Sequence, residues 1–328
     1  MVSRIAIVAA AATAIAGCGK FQDPNIVIDL RVLAMTGQPP TQLVDVDLSQ
    51  PLDPIALLMQ LKPTQVCALV ADPDFDRQLL WSMTVCPTTT DDRCADGDPQ
   101  YVAGQGLLAD PDLTIPEPAM CATVNVDVKL AGVLANVYEN DSLHGLGGID
   151  YAVQLRVGGE TADRTLDQYA TKTVEIVPNI PATATANTNP SIDHIDASIA
   201  GATAVPLPLG RCVDNPEPLA IPAGVKVRLT PVEPPGAREV YTVPTLDGGS
   251  ETFTESLTYQ WVATEGSISK GSTGGPLQLT GQPPPLFTDY TAPPATDLMG
   301  PTDVSLWIIQ RDERLGAHWY EACLRVTP

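Results

Sequence analysis

The sequence is short of positive charge and of the side chains that most enzymes use as bases or metal ligands. Lys and Arg total 18 against 39 Asp and Glu, a formal charge of −21. A polyphosphate backbone is repelled by such a surface, which argues against nucleic acid as a partner. Histidine occurs three times, at His144, His194 and His318, and no two cysteines have CxxC spacing, so no metal site is predicted. G-x-S-x-G, P-loop, H-E-x-x-H and G-x-G-x-x-G patterns are absent. The string from Ser267 to Lys270 matches S-x-x-K, but the S-D-N and K-T-G partners that give it meaning are missing. No catalytic residue and no cofactor is therefore assigned. A carboxylate pair for glycoside hydrolysis stays open among the acids, because such pairing is spatial rather than sequential.

Long apolar runs are also scarce. The best internal stretch, residues 55–70, is broken by Gln60, Lys62, Pro63 and Gln65, whereas a bilayer span needs about 20 apolar residues. Charged residues are 17% of the chain, below the roughly 25% of an average soluble protein, yet hydrophobic residues are 44%, enough to bury a core. Wholesale disorder is excluded on that ground. With 32 prolines and 25 glycines, long helices are disfavoured and short strands joined by turns are expected. At about 100–200 residues per domain, 328 residues suggest two.

Period-two alternation marks half-buried strands in both halves. It appears at Ile26, Ile28, Leu30 and Val32; at Leu79, Trp81, Met83 and Val85; at Ala122, Val124, Val126 and Val128; and at Tyr151, Val153, Leu155 and Val157. Around Leu130, Val133, Leu134 and Val137 the spacing changes to three and four, which predicts one short helix after Val128, ending before Gly145. Residues 179–206, rich in Pro, Ala, Thr and Asn, read as a linker. The expected organisation is mainly β: a signal segment at 1–17, a tether at 18–24, an antiparallel β-sandwich at 25–178 carrying the helix, the linker, and a second sandwich at 207–328.

The N-terminus carries one basic residue, Arg4, then the apolar run 5–15, then Ile15-Ala16-Gly17-Cys18. That tetrapeptide resembles the lipobox of bacterial lipoproteins, in which the cysteine is acylated and becomes the new N-terminus. The resemblance implies anchoring to a lipid bilayer through Cys18; the plainer reading is an ordinary secretory signal with a coincidental cysteine. Gly19 stands where an aspartate would argue for inner-membrane retention, so the resembled families imply the outer membrane. Setting Cys18 aside leaves six cysteines, Cys67, Cys86, Cys94, Cys121, Cys212 and Cys323, enough for three disulfides in an oxidising compartment. Cys86 and Cys94 flank only seven residues and suit a local clip, which would leave Cys67 with Cys121, and Cys212 with Cys323. Cys121 and Cys323 fall on the opposite parity from the apolar residues of their strands, so these bridges are expected outside the cores.

A weak internal echo places a tryptophan strand after each of Val70-Ala71-Asp72-Pro73 and Val232-Glu233-Pro234, at Trp81 and Trp261. This resembles immunoglobulin-like modules, where such a tryptophan packs between the sheets. Leu30-Arg31-Val32-Leu33-Ala34 and the phrase from Tyr259 to Thr264 also resemble myxobacterial envelope lipoproteins, a likeness that supplies no mechanism. The acidic cluster Asp91, Asp92, Asp96 and Asp98 lacks the closing glutamate of a calcium loop, and with Asp72, Asp74 and Asp76 it reads as solvated turns.

One surface is predicted at the C-terminal hairpin. If Arg311 pairs with Ala317, then Leu306 and Ile308 face the core, while Trp307, Ile309 and Trp319 lie on the opposite face with Cys323. An uncovered apolar patch of that kind is unusual. Either the segment around Cys212 covers it, or it forms a platform for an envelope protein or a glycan. The functional expectation is an envelope lipoprotein with a structural or partner-binding role; the alternative is a glycan-binding or carbohydrate-active surface lipoprotein.

Overall fold

The computed structural model describes residues 23–47, 54–73, 78–88, 93–108, 120–142, 145, 147–159, 166–199, 202–245 and 248–328. Cys18 and its lipobox lie outside them, as do Asp74, Asp76, Asp91, Asp92 and His144.

The first half forms β1 (Arg31–Gln38), β2 (Thr41–Val44), β3 (Thr64–Ala71), β4 (Leu79–Pro87), β5 (Tyr101–Leu108), β6 (Cys121–Val124), β7 (Ile149–Gly159) and β8 (Gln168–Pro178). They build two sheets, β1-β3-β6 and β2-β8-β7-β4-β5. On β4 the alternation works as read: Leu79, Trp81, Met83 and Val85 are buried, while Leu80, Ser82 and Thr84 are less so. The neighbouring β5 makes room for the indole with glycine, because a β-carbon at Gly106 would stand 2.7 Å from Trp81 Nε1. Helix α2 (Val128–Asn140) starts where the spacing changed. Asp127 caps it, accepting from the backbone N–H groups of Lys129 and Leu130 at 2.9 and 3.1 Å, and Leu130, Val133 and Leu134 face the core. A second, five-residue helix, α1 (Pro54–Leu58), was not anticipated; it is too short to show periodicity.

The second half contains β9 (His194–Ile199), β10 (Val205–Pro206), β11 (Leu219–Pro222), β12 (Lys226–Val232), β13 (Val240–Pro244), β14 (Ser250–Thr254), β15 (Thr258–Ala263), β16 (Ser267–Ile268), β17 (Ser272–Gly274), β18 (Thr288–Thr291), β19 (Thr302–Arg311) and β20 (Ala317–Thr327). The sheets are β10-β9-β12-β18-β16 and β11-β20-β19-β15-β17, with β13-β14 as a separate hairpin. Strand for strand, β9-β12-β18 repeats β1-β3-β6, and β11-β20-β19-β15-β17 repeats β2-β8-β7-β4-β5. Trp81 and Trp261 occupy equivalent strands inside their own cores. The echo in the sequence is thus a shared β-sandwich topology, immunoglobulin-like in strand order.

Several expectations change. The sheets are not wholly antiparallel, since β2 pairs in parallel with β8 and β11 with β20. The run at Ile26 to Val32 is not one strand: β1 begins at Arg31, a bulge between Val32 and Ala34 shifts its parity, and Val27 is buried while Ile28 is exposed. Residues 25–27 instead bond to the second module, with the Val27 N–H donating to Ala263 O at 2.8 Å and the Ala263 N–H to Asn25 O at 2.9 Å. Residues 194–206 supply β9 and β10, so only about the first half of the expected linker connects the modules.

Candidate functional site

The C-terminal hairpin has the expected register: Arg311 pairs with Ala317, Leu306 with Ala322, Trp307 with Glu321 and Ile309 with Trp319. Val304, Leu306 and Ile308 enter the second core, and Trp307 and Ile309 point the other way. That outer face is covered, but chiefly not by the Cys212 segment. Trp307 and Ile309 are fully buried in a third core with Val262, against Val27, Leu33, Ala34, Leu69 and Ala71 of the first half; Trp319 is half-buried at its margin. A platform of Trp307, Ile309 and Trp319 open to a glycan or protein is therefore corrected: the face is a seam between the modules. The Cys212 turn covers only the part near Ser305, whose hydroxyl lies 3.4 Å from Cys212 Sγ. Four sheets stack in sequence with three apolar layers between them. The missed signal was β3 and β19, which are buried on both faces, as near-continuous apolar runs indicate.

The disulfides are Cys67–Cys121, Cys86–Cys94 and Cys212–Cys323, and none joins one module to the other. Cys67 and Cys121 face each other across β3 and β6 with Cα atoms 4.1 Å apart, on the outer side of that sheet. Cys323 points away from its sandwich core yet is fully buried, because the Cys212 turn closes over it.

The connecting segment is a bound strap. Asn187 Nδ2 donates to Asp312 Oδ2 and Arg314 O at 3.1 and 2.7 Å. Asn189 Nδ2 donates to Gly37 O and Gln38 Oε1 at 2.9 and 2.8 Å, while its Oδ1 accepts from the Ala317 N–H at 3.0 Å. One side chain thus joins β1 to the β19–β20 turn. Lys172 on β8 is buried at the same seam and donates to Leu315 O. Burial lowers its pKa to about 8, with Asp312 opposing that shift.

Beside the strap lies a cleft of about 620 Å³ between β2 and β8 of the first module and the β13–β14 hairpin of the second. Its apolar walls include Leu43, Val177, Ile180, Val243 and Leu315. Arg314 organises one wall: its guanidinium lies 4.5 Å over the Tyr241 ring and 3.3 Å from both Glu239 and Glu255, and it donates to Thr185 O at 2.7 Å. Tyr241 donates to Glu313 Oε1 at 2.8 Å and stacks on Phe253 at 5.7 Å. Burial pushes the Glu255 carboxyl up to about 7, and raises Glu175 in the cleft wall, where Asp150 adds to the effect. Among the described residues its lining has no His, Cys, Ser or Lys; the hydroxyls of Thr41 and Tyr241 bond to the carboxylates of Glu175 and Glu313, and the apolar walls are shaped for holding an apolar group. Among the described residues no group of three or more His, Cys, Asp or Glu is placed to hold a metal.

No protein-family model matches the chain, and no curated protein matches it. Among solved structures it is similar to AggA, the major subunit of aggregative adherence fimbriae type I of Escherichia coli, at 11% identity over 48% of this chain and 99% of that one, with a TM-score of 0.21. A Porphyromonas gingivalis W83 protein of unknown function matches at 10% identity over 90% of this chain and 99% of that one, at 0.22. Red sea bream transglutaminase matches at 8% over 92% and 32%, also at 0.22. Scores this low carry no functional argument.

Proposed function

We propose that the chain is an exported envelope lipoprotein, acylated at Cys18, whose two β-sandwiches work as one rigid, non-catalytic unit in a structural or partner-binding role. The observation that carries the rigid unit is the third core: burying Trp307 and Ile309 under β1 and β3 leaves no free hinge between the modules. Export is supported by three disulfides that consume every cysteine except Cys18, a bonding pattern suited to an oxidising compartment. The resemblance of residues 15–18 to a lipobox supports the anchor, and Gly19 in place of a retention aspartate supports the outer membrane. Replacing Cys18→Ala should release the protein from membranes and abolish incorporation of labelled palmitate. A variant that remains wholly membrane-bound would overturn the anchor.

A further inference from the structure

The chain carries six lysines, and two of them, Lys226 and Lys270, stand exposed on one side of the second module. Phe287, the residue before β18, lies close to both segments that present them. The Arg228 guanidinium, two residues along β12 from Lys226, sits 3.9 Å over the Phe287 ring, and the Lys270 ammonium lies 5.3 Å from the same ring. Asp289 pairs with Arg228 at 2.9 Å and offsets that charge, which leaves the two lysines as a positive surplus on a protein of formal charge −21.

The position of this patch matters more than its size. Lys270 lies in the short connection between β16 and β17, where the chain crosses from one sheet of the module to the other. Next to it, Gly271 packs so closely on Asn25 that a β-carbon there would lie 1.9 Å from Asn25 Oδ1. Asn25 and Val27 are themselves bonded to Ala263 on β15, and Arg31 Nη1 donates to Pro24 O at 2.7 Å, so the entering chain is fixed against the module at this point. Only four residues lie between Cys18 and Asp23, a reach of at most about 17 Å over five residue steps when fully extended. An anchor at Cys18 holds this corner of the molecule close to the bilayer. The remaining acidic surface is repelled by anionic lipid, which orients the corner toward it.

We propose that the Lys226–Phe287–Lys270 surface docks on the anionic phospholipid headgroups of the membrane that holds the anchor, and so sets the protein's orientation. This rests on the acylated Cys18 of the preceding section. The test uses the full acylated protein purified from membranes and reconstituted into vesicles of phosphatidylcholine alone or of phosphatidylcholine with phosphatidylglycerol. Lysine labelling by an amine-reactive reagent is read by mass spectrometry. Labelling of Lys226 and Lys270 should fall by about fivefold in the phosphatidylglycerol vesicles, the weight of one basic residue at an anionic surface, and recover in high salt. Lys62 and Lys129, exposed on the first module, should label equally in both. The Lys226→Gln, Lys270→Gln double variant should lose the preference, read as equal modification of the exposed Arg228 by phenylglyoxal in both vesicles. Equal labelling of the two lysines in both vesicles, with the acyl mass present on Cys18, overturns the docking surface alone. Absence of the acyl mass overturns the anchor and the orientation with it.

Discussion

The two sandwiches share one strand order but differ in how many faces they bury. In the first module β7 alternates, with Tyr151, Val153, Leu155 and Val157 inward and Gln154 and Arg156 half-exposed. Its counterpart β19 is buried continuously from Val304 to Gln310, because its outer face lies in the seam. The first module reaches that seam through its other sheet, where β3 sends Val66, Ala68 and Val70 inward and Leu69 and Ala71 outward. The same topology therefore presents opposite sheets to the same interface. The stacking order is decided by which strands carry apolar residues at both parities.

The strongest way to break that asymmetry is Trp307→Ala. Removing a fully buried tryptophan should cost about 3–5 kcal/mol, and because it lies between the modules, hydrogen exchange should speed up in β1 and β3 as well as in β15, β19 and β20. Exchange that rises only in the second module would show that the seam contributes little. Next comes the disulfide comparison. Replacing Cys212 and Cys323 by alanine, or Cys67 and Cys121, should each cost about 2–5 kcal/mol in denaturant unfolding. The bridge spanning 111 residues should matter slightly more than the one spanning 54, by about 0.6 kcal/mol.

Lys172 tests the seam through pH. Its folded pKa, about 8, lies below the unfolded value near 10.5, so from pH 8 to 10.5 the unfolded chain binds more protons and stability rises. The cost of burying the ammonium is present in full below pH 8 and relieved above it. The stability difference between wild type and Lys172→Met should therefore change across that interval and be flat below it. A difference independent of pH would mean that the amine is hydrated at the seam. Asn189→Ala removes three hydrogen bonds that hold β1, the strap and the β19–β20 turn together, and should cost about 1–3 kcal/mol. The smallest effect belongs to one module alone: Asp127→Ala uncaps α2 for about 1 kcal/mol and should leave exchange in β19 and β20 unchanged.

Local features were legible where the residues decide the outcome by themselves. The apolar spacing of three and four from Leu130 to Val137 marked α2, the alternation on β4 and β7 marked their inner faces, and the five-residue turn fixed the register of β19 and β20. The run from Ile26 to Val32 was misread because Ile26 packs on the second core, Ile28 is exposed, and Leu30 and Val32 pack on the first, an order that mimics a strand's period. The cleft was not legible at all, since Glu175, Tyr241 and Arg314 come from elements that only the stacked modules bring together.

By itself the sequence determined the β class, the duplicated strand pattern, the local disulfide clip and the existence of an apolar face at Trp307 and Ile309 that required a cover. Each of these follows from the spacing of side chains along one strand or one turn, a short-range property of the backbone. The tertiary structure alone decided what the cover is, that the proline-rich connection is a bonded strap, and that the chain enters beside Lys270. Those outcomes depend on which of several apolar faces meet, and that choice is made by packing between residues far apart in the chain.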